Sequence, residues 1–186
     1  MKAAVYQGSQ QLIVEDIPIP EPGPGEILVK VTYSAICGTD VHAFLYDIAP
    51  PAAVNGHEFS GSVLATASAV DRWKIGERVV GGGGKPPPGM EAPLRRQDQY
   101  NYRLEGFADD RKRGYAEYTL LTEWAPTAIP ENVTDLQASL VEPCAVVVRA
   151  VRLSQMKLGD TVAVLGAGPI GPVSYTHLTL PTILLV

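Results

Sequence analysis

Two short segments, Cys37-Gly38-Thr39-Asp40-Val41-His42 and Gly56-His57-Glu58, constrain this chain more than any other feature. Thiolate, imidazole and carboxylate are the ligand types that zinc prefers. A compact zinc finger carries its ligands on closely spaced turns. Here Cys37 and His57 are far enough apart for strands and loops to intervene, so tertiary structure must assemble the site. Two of the three histidines and one of the two cysteines fall in these segments. A zinc held by three side chains keeps a fourth position for water or substrate, which separates a catalytic site from a structural one.

The surrounding pattern is that of short strands. Sixteen prolines and eighteen glycines in 186 residues favour turns over a helical bundle. Ala3–Tyr6 and Leu12–Asp16 read as a strand pair about Gly8-Ser9-Gln10. The proline-rich run 18–25 cannot continue a sheet, because proline removes ladder donors. From Glu26 to Ile36 the residues Ile27, Val29, Val31 and Tyr33 alternate, the period of a half-buried strand that leads into Cys37. Gly61–Val70 and Arg78–Val80 read as further strands, and strand character returns over Gly114–Thr122. This spacing predicts a small barrel or sandwich.

Between these lies an irregular stretch from Gly81 to Arg113. Its glycine run is no phosphate loop, since neither Ser nor Thr follows Lys85 and three prolines bar a helix there. Its charges are expected on a solvated surface, with a subunit contact or substrate cover as the alternative. Thr134-Asp135-Leu136-Gln137 has the form of a capping box opening a helix. Pro143 is expected to interrupt that helix and leave Glu142 at a break, with apolar residues resuming over Ala145–Leu153. Lys157-Leu158-Gly159-Asp160 reads as a turn and Thr161–Leu165 as a buried strand. The strand runs into Gly166-x-Gly168-x-x-Gly171, a weak motif alone and a fair dinucleotide fingerprint after a strand.

The ordered motifs resemble the catalytic-zinc signature of the medium-chain alcohol and polyol dehydrogenases. Cys37-Gly38-Thr39-Asp40-x-His42, Gly56-His57-Glu58-x-x-Gly61, Trp73–Val80, Glu142-Pro143 and Gly166–Gly171 follow in family order. The resemblance, to sorbitol, butanediol and threonine dehydrogenases, implies a mainly β fold. That fold is a GroES-like barrel with peripheral helices, followed by the first strand and glycine turn of a truncated Rossmann domain. The implied divisions are 1–153 for the catalytic domain, 154–172 for the start of the nucleotide domain and 173–186 for a non-native tail. Val173–Thr182 resembles the translation of a sequencing adapter and shows no helical periodicity, so His177 receives no role.

The resemblance also implies roles. Cys37 and His57 would ligate one catalytic zinc. Glu142 is the preferred third ligand, Glu58 its competitor and Cys144 the runner-up. Asp40 would orient the ligand imidazole from behind. Thr39 and His42 would relay the alcohol proton, a task suited to the pKa range of histidine. Gly166, Gly168 and Gly171 would approach the pyrophosphate of NAD or NADP. Many relatives hold a structural zinc with four cysteines in the region 81–113, which has none here, so no structural zinc is expected. Substrate would be a secondary alcohol or polyol, and the parent protein a homo-oligomer, dimer or tetramer.

Charge and composition narrow the alternatives. A net charge of −5, with no basic face evident in the sequence, argues weakly against nucleic acid as a partner. No apolar run approaches the ~20 residues of a membrane span, and no signal-peptide apolar region follows Met1. Two cysteines without framework spacing fit a reducing, cytoplasmic setting. A zinc-binding barrel without turnover, or a zinc-free reductase or binding module of the same fold, are the competing readings.

Overall fold

The computed structural model describes residues 1–81 and 113–183. The described chain falls into two compact units, Met1–Ser139 and Leu140–Val186.

The first unit is mainly β, as the sequence implies. Its strands are β1 (Lys2–Gly8), β2 (Gln11–Asp16), β3 (Glu26–Ala35), β4 (Glu58–Thr66), β5 (Arg78–Gly81), β6 (Tyr118–Thr122) and β7 (Thr127–Ala128), with helix α1 (Gly38–Leu45) between β3 and β4. β1 and β2 form an antiparallel hairpin; the others form an antiparallel sheet in the order β6-β3-β4-β5-β7. β3 therefore lies inside the sheet, paired with β4 on one side and β6 on the other.

The alternation read in β3 does not hold where both neighbours are present: Leu28 is buried along with Ile27 and Val29, because the strand is covered on both faces there. Ile27 and Val29 are fully buried and pack with Val63 of β4 and Val79 of β5. Tyr33, expected on the same face, is 45% exposed. The β3–β4 register shifts between Val31 and Tyr33, and such a bulge re-aims the side chains beyond it. Strand β4 starts at Glu58 rather than Gly61 because Ala35 already pairs with Glu58. It ends at Thr66 rather than Val70 because its partner β3 begins only at Glu26, after the proline-rich run. Strand β6 begins at Tyr118, not Gly114, because the preceding backbone is bonded elsewhere. Tyr115 N–H donates to Asn55 O at 2.9 Å, and Ala4 N–H donates to Tyr115 O at 2.8 Å.

Thr134 opens α2 (Asp135–Ala138) with the expected capping box. The Gln137 amide donates to Thr134 Oγ1 at 3.2 Å, and the Thr134 amide donates to Gln137 Oε1 at 3.0 Å. Arg78 fastens this turn to the sheet. Its Nε donates to Asp135 Oδ1 at 2.7 Å and its Nη2 to Val133 O at 2.6 Å.

In the second unit, α3 (Val141–Leu153) begins before Pro143 and α4 spans Ile170–Ile183. The expected interruption at Pro143 does not occur: the break falls at Ser139–Leu140, and Pro143 occupies the first turn of α3, where no amide donor is needed. Thr161–Leu165, expected as a buried strand, has no strand geometry, and Leu165 is 93% exposed. A parallel strand exists only through neighbours, and no strand follows β7 among the described residues. Helix α4 covers a segment that the sequence suggested would not be helical. Pro172 falls in its first turn, and hydroxyls of Ser174 and Thr179 bond back to the carbonyls of Ile170 and Tyr175. The irregular stretch of the sequence, with its expected surface charges and lack of a structural zinc, lies outside the described residues from 82 to 112. No described helix is long and apolar enough to cross a membrane.

Candidate metal centre

The bottom of the β3–β4 ladder creates the site. Pairing of Ala35 with Glu58 leaves Cys37, two residues beyond β3, beside His57 and Glu58 at the start of β4. The ligand atoms of Cys37, His57 and Glu58 all lie within 4.8 Å of one another. Glu58 is buried, whereas Cys37 and His57 are half-buried. The loop reaches β4 through Gly56, whose φ of +96° is one that glycine adopts without a Cβ penalty.

Helix α1 starts at the same place. Cys37 is its N-cap: the Thr39 amide donates to Cys37 Sγ at 3.4 Å, and the Cys37 amide donates to Asp40 Oδ2 at 3.1 Å. Asp40 is 6% exposed and turns its carboxylate back towards both ligand segments. Its Oδ1 faces Nδ1 of His57 at 3.6 Å, an ionic contact too long for a hydrogen bond, and has no hydrogen-bond partner among the described residues. Tyr115 donates its hydroxyl proton to Oδ2 at 2.8 Å.

These contacts shift the protonation of the pair. The Asp40 carboxylate, against the opposing effect of burial and helped by Cys37, raises His57 to about 9. Burial pushes Asp40 upward, but the contact with His57 and the donors from Tyr115 and Cys37 outweigh it and leave the carboxyl below its ordinary value. Burial, reinforced by the Asp40 charge, raises the Tyr115 hydroxyl.

The residues present fit zinc. They offer one thiolate, one imidazole and one carboxylate, and behind the imidazole stands a buried carboxylate oxygen aimed at Nδ1, leaving Nε2 as the other ring donor. Thr39 is exposed beside the sulfur, with Oγ1 at 3.5 Å from Sγ. His42 is exposed one turn further along α1, its ring 5.7 Å from that of Tyr46. Glu142 and Cys144 lie in the first turns of α3, in the second unit; burial pushes the Cys144 thiol up. Both cysteines are free.

The second unit contains the glycine turn. Gly171 N–H donates to Gly168 O at 3.0 Å, and a Cβ on Gly171 would collide with the Gly166 carbonyl oxygen. Val164, Gly166, Gly168, Ile170, Gly171 and Ser174 line a recess there. Tyr115 is the contributor that sequence reading missed. Its strand-like neighbourhood was legible, but nothing in the spacing joined it to Asp40.

A β-sheet domain bearing a Cys-His-Glu cluster at a strand terminus offers a ligand set that could hold a metal ion. Residues 23–131 match the alcohol dehydrogenase GroES-like domain. The chain belongs to that family. It is 33% identical to (R,R)-butanediol dehydrogenase of Bacillus subtilis (strain 168), over 92% of this chain and 52% of that protein. Identity to L-threonine 3-dehydrogenase of Rhizobium etli (strain CIAT 652) is 36%, over 92% and 51%. A solved short chain alcohol dehydrogenase of E. coli CFT073 complexed with NADH aligns with a TM-score of 0.79 and 32% identity, over 96% of this chain and 53% of that one. The chain spans about half the length of the curated relatives it matches.

Proposed function

We propose that this chain carries the catalytic zinc domain of an oxidoreductase that moves hydride between a secondary alcohol or polyol and NAD(P). The observation that carries the reading is the convergence of Cys37, His57 and Glu58 with Asp40 behind the imidazole. Cys37 and His57 would hold zinc, with Glu58 as the third ligand in this arrangement and Glu142 as the ligand that the family likeness favours. Bound there, zinc supplies Lewis-acid polarisation of the substrate oxygen. The Thr39 hydroxyl, beside the sulfur, would take the alcohol proton, and the exposed His42 would pass it to solvent. Gly166, Gly168 and Gly171 would admit the cofactor pyrophosphate at the start of α4.

Butanediol and threonine, the substrates that name the two relatives, define the class to test first, together with sorbitol-type polyols. We place the enzyme in the cytoplasm as a homo-oligomer; the two free cysteines support a reducing setting. Residues 1–153 are assigned to the catalytic domain, 154–172 to the start of a nucleotide domain and 173–186 to a non-native tail. On this reading residues 1–186 bind one zinc but do not oxidise polyols, because a displacement of about 1 Å between nicotinamide and substrate can cost ~10²-fold. Metal analysis of the chain, with NAD(P) reduction assayed for it and for a version carrying a full nucleotide domain, tests this. The expected result is one zinc in both and turnover in the longer form alone. A zinc-free preparation, or robust turnover by residues 1–186, would overturn it.

A further inference from the structure

We propose that Tyr115 is a positioning residue for the metal centre, tying together the two segments that carry its ligands and acting on His57 through Asp40. The inference rests on the zinc reading above.

Tyr115 touches both segments. On one side, its amide donates to Asn55 O at 2.9 Å and the neighbouring Gly114 amide donates to Gly56 O at 2.9 Å, so its backbone is docked on the residues just before His57. Its ring lies over Gly56, where a Cβ would come within 2.7 Å of Tyr115 Cδ1. On the other side, its hydroxyl reaches the Cys37–Asp40 turn. The single hydroxyl proton has two acceptors in reach, Asp40 Oδ2 at 2.8 Å and Ala35 O at 3.2 Å, and the shorter contact is to the carboxylate.

Asp40 Oδ2 is then held by two donors, the Tyr115 hydroxyl and the Cys37 amide. With Oδ2 held, the carboxylate plane is set, and the remaining oxygen, Oδ1, points at Nδ1 of His57. A carboxylate behind a ligand histidine fixes ring orientation, and its loss typically costs about 10–100-fold in metal affinity. Removing the hydroxyl takes away one of the two donors on Oδ2 and loosens that carboxylate, leaving it on the Cys37 amide and every metal-ligand candidate in place.

The test uses the full 186-residue chain as wild type, Tyr115→Phe, Asp40→Asn and the double variant. Zinc affinity is measured by competition with a chromophoric chelator, and the visible d–d spectrum is recorded after cobalt substitution. Tyr115→Phe is expected to weaken zinc about tenfold or more and to shift the cobalt spectrum. In the Asp40→Asn background the same change should cost nothing further. Equal losses in both backgrounds, or unchanged affinity and spectrum in Tyr115→Phe, would overturn the inference while leaving the zinc reading intact. A wild-type chain that binds no zinc would overturn both. If circular dichroism shows Tyr115→Phe to be unfolded, Asp40→Asn decides: wild-type zinc affinity in that variant would overturn the proposed route.

Discussion

Nδ1 of His57 faces Oδ1 of Asp40 at 3.6 Å, and on the zinc reading this pair makes metal binding compete with protons. His57 is raised from 6.5 to about 9, chiefly by that carboxylate. In the metal-free chain the contact's stabilisation is therefore fully present below pH ~6.5 and lost as pH rises through about 9. Zinc needs the neutral ring and the thiolate, so its affinity should climb as pH rises towards about 9, the imidazolium proton alone contributing up to about tenfold per pH unit. Chelator competition from pH 6 to 10 checks this; a flat profile would contradict it.

Cys37→Ser should remove most zinc affinity, since it replaces the only thiolate in the cluster. The unsubstituted chain is expected to bind one zinc. Elemental analysis and competition titration measure both quantities. Two tightly held zincs, or an unaltered Cys37→Ser variant, would defeat the assignment.

Glu58→Gln keeps the shape of a side chain that is only 6% exposed while removing its charge. If Glu58 is the third ligand, zinc affinity should fall by about 10-fold or more, in the range of lost metal-site interactions. Glu142→Gln, measured in parallel, separates the two carboxylates. A loss confined to Glu142→Gln would transfer the role to α3.

Val79→Ala should destabilise the first unit by about 2 kcal/mol, because Val79 is fully buried against Ile27, Val29 and Val63. Urea unfolding followed by the fluorescence of Trp73 and Trp124 measures it. A change below about 0.5 kcal/mol would mean that the cluster does not hold the sheet together.

The features legible in the sequence were those encoded locally. Alternation located β3, proline marked its start, and the capping box at Thr134 placed α2. The Cys37 and His57 segments were legible because few residue types ligate zinc. What the sequence hid depended on partners. Thr161–Leu165 has the composition of a strand but no strand to pair with among the described residues. Pro143 looked like a helix breaker, yet it sits in a first turn, where its missing amide is harmless. Tyr115 reaches Asp40 across a separation in sequence that no periodicity records.

The sheet order also dictates when the site comes together. Cys37 and His57 flank the β3–β4 pairing, whose chain closure is short, whereas β3 meets β6 only across the much longer span from Glu26 to Thr122. Long closures carry the larger entropic barrier, so local pairings form ahead of remote ones. The ligands should consequently be gathered on an early hairpin, open to capturing an ion during folding. Tyr115, next to the strand with the longer closure, should join the arrangement afterwards, so on the zinc reading an ion would meet a loose clasp before a rigid one.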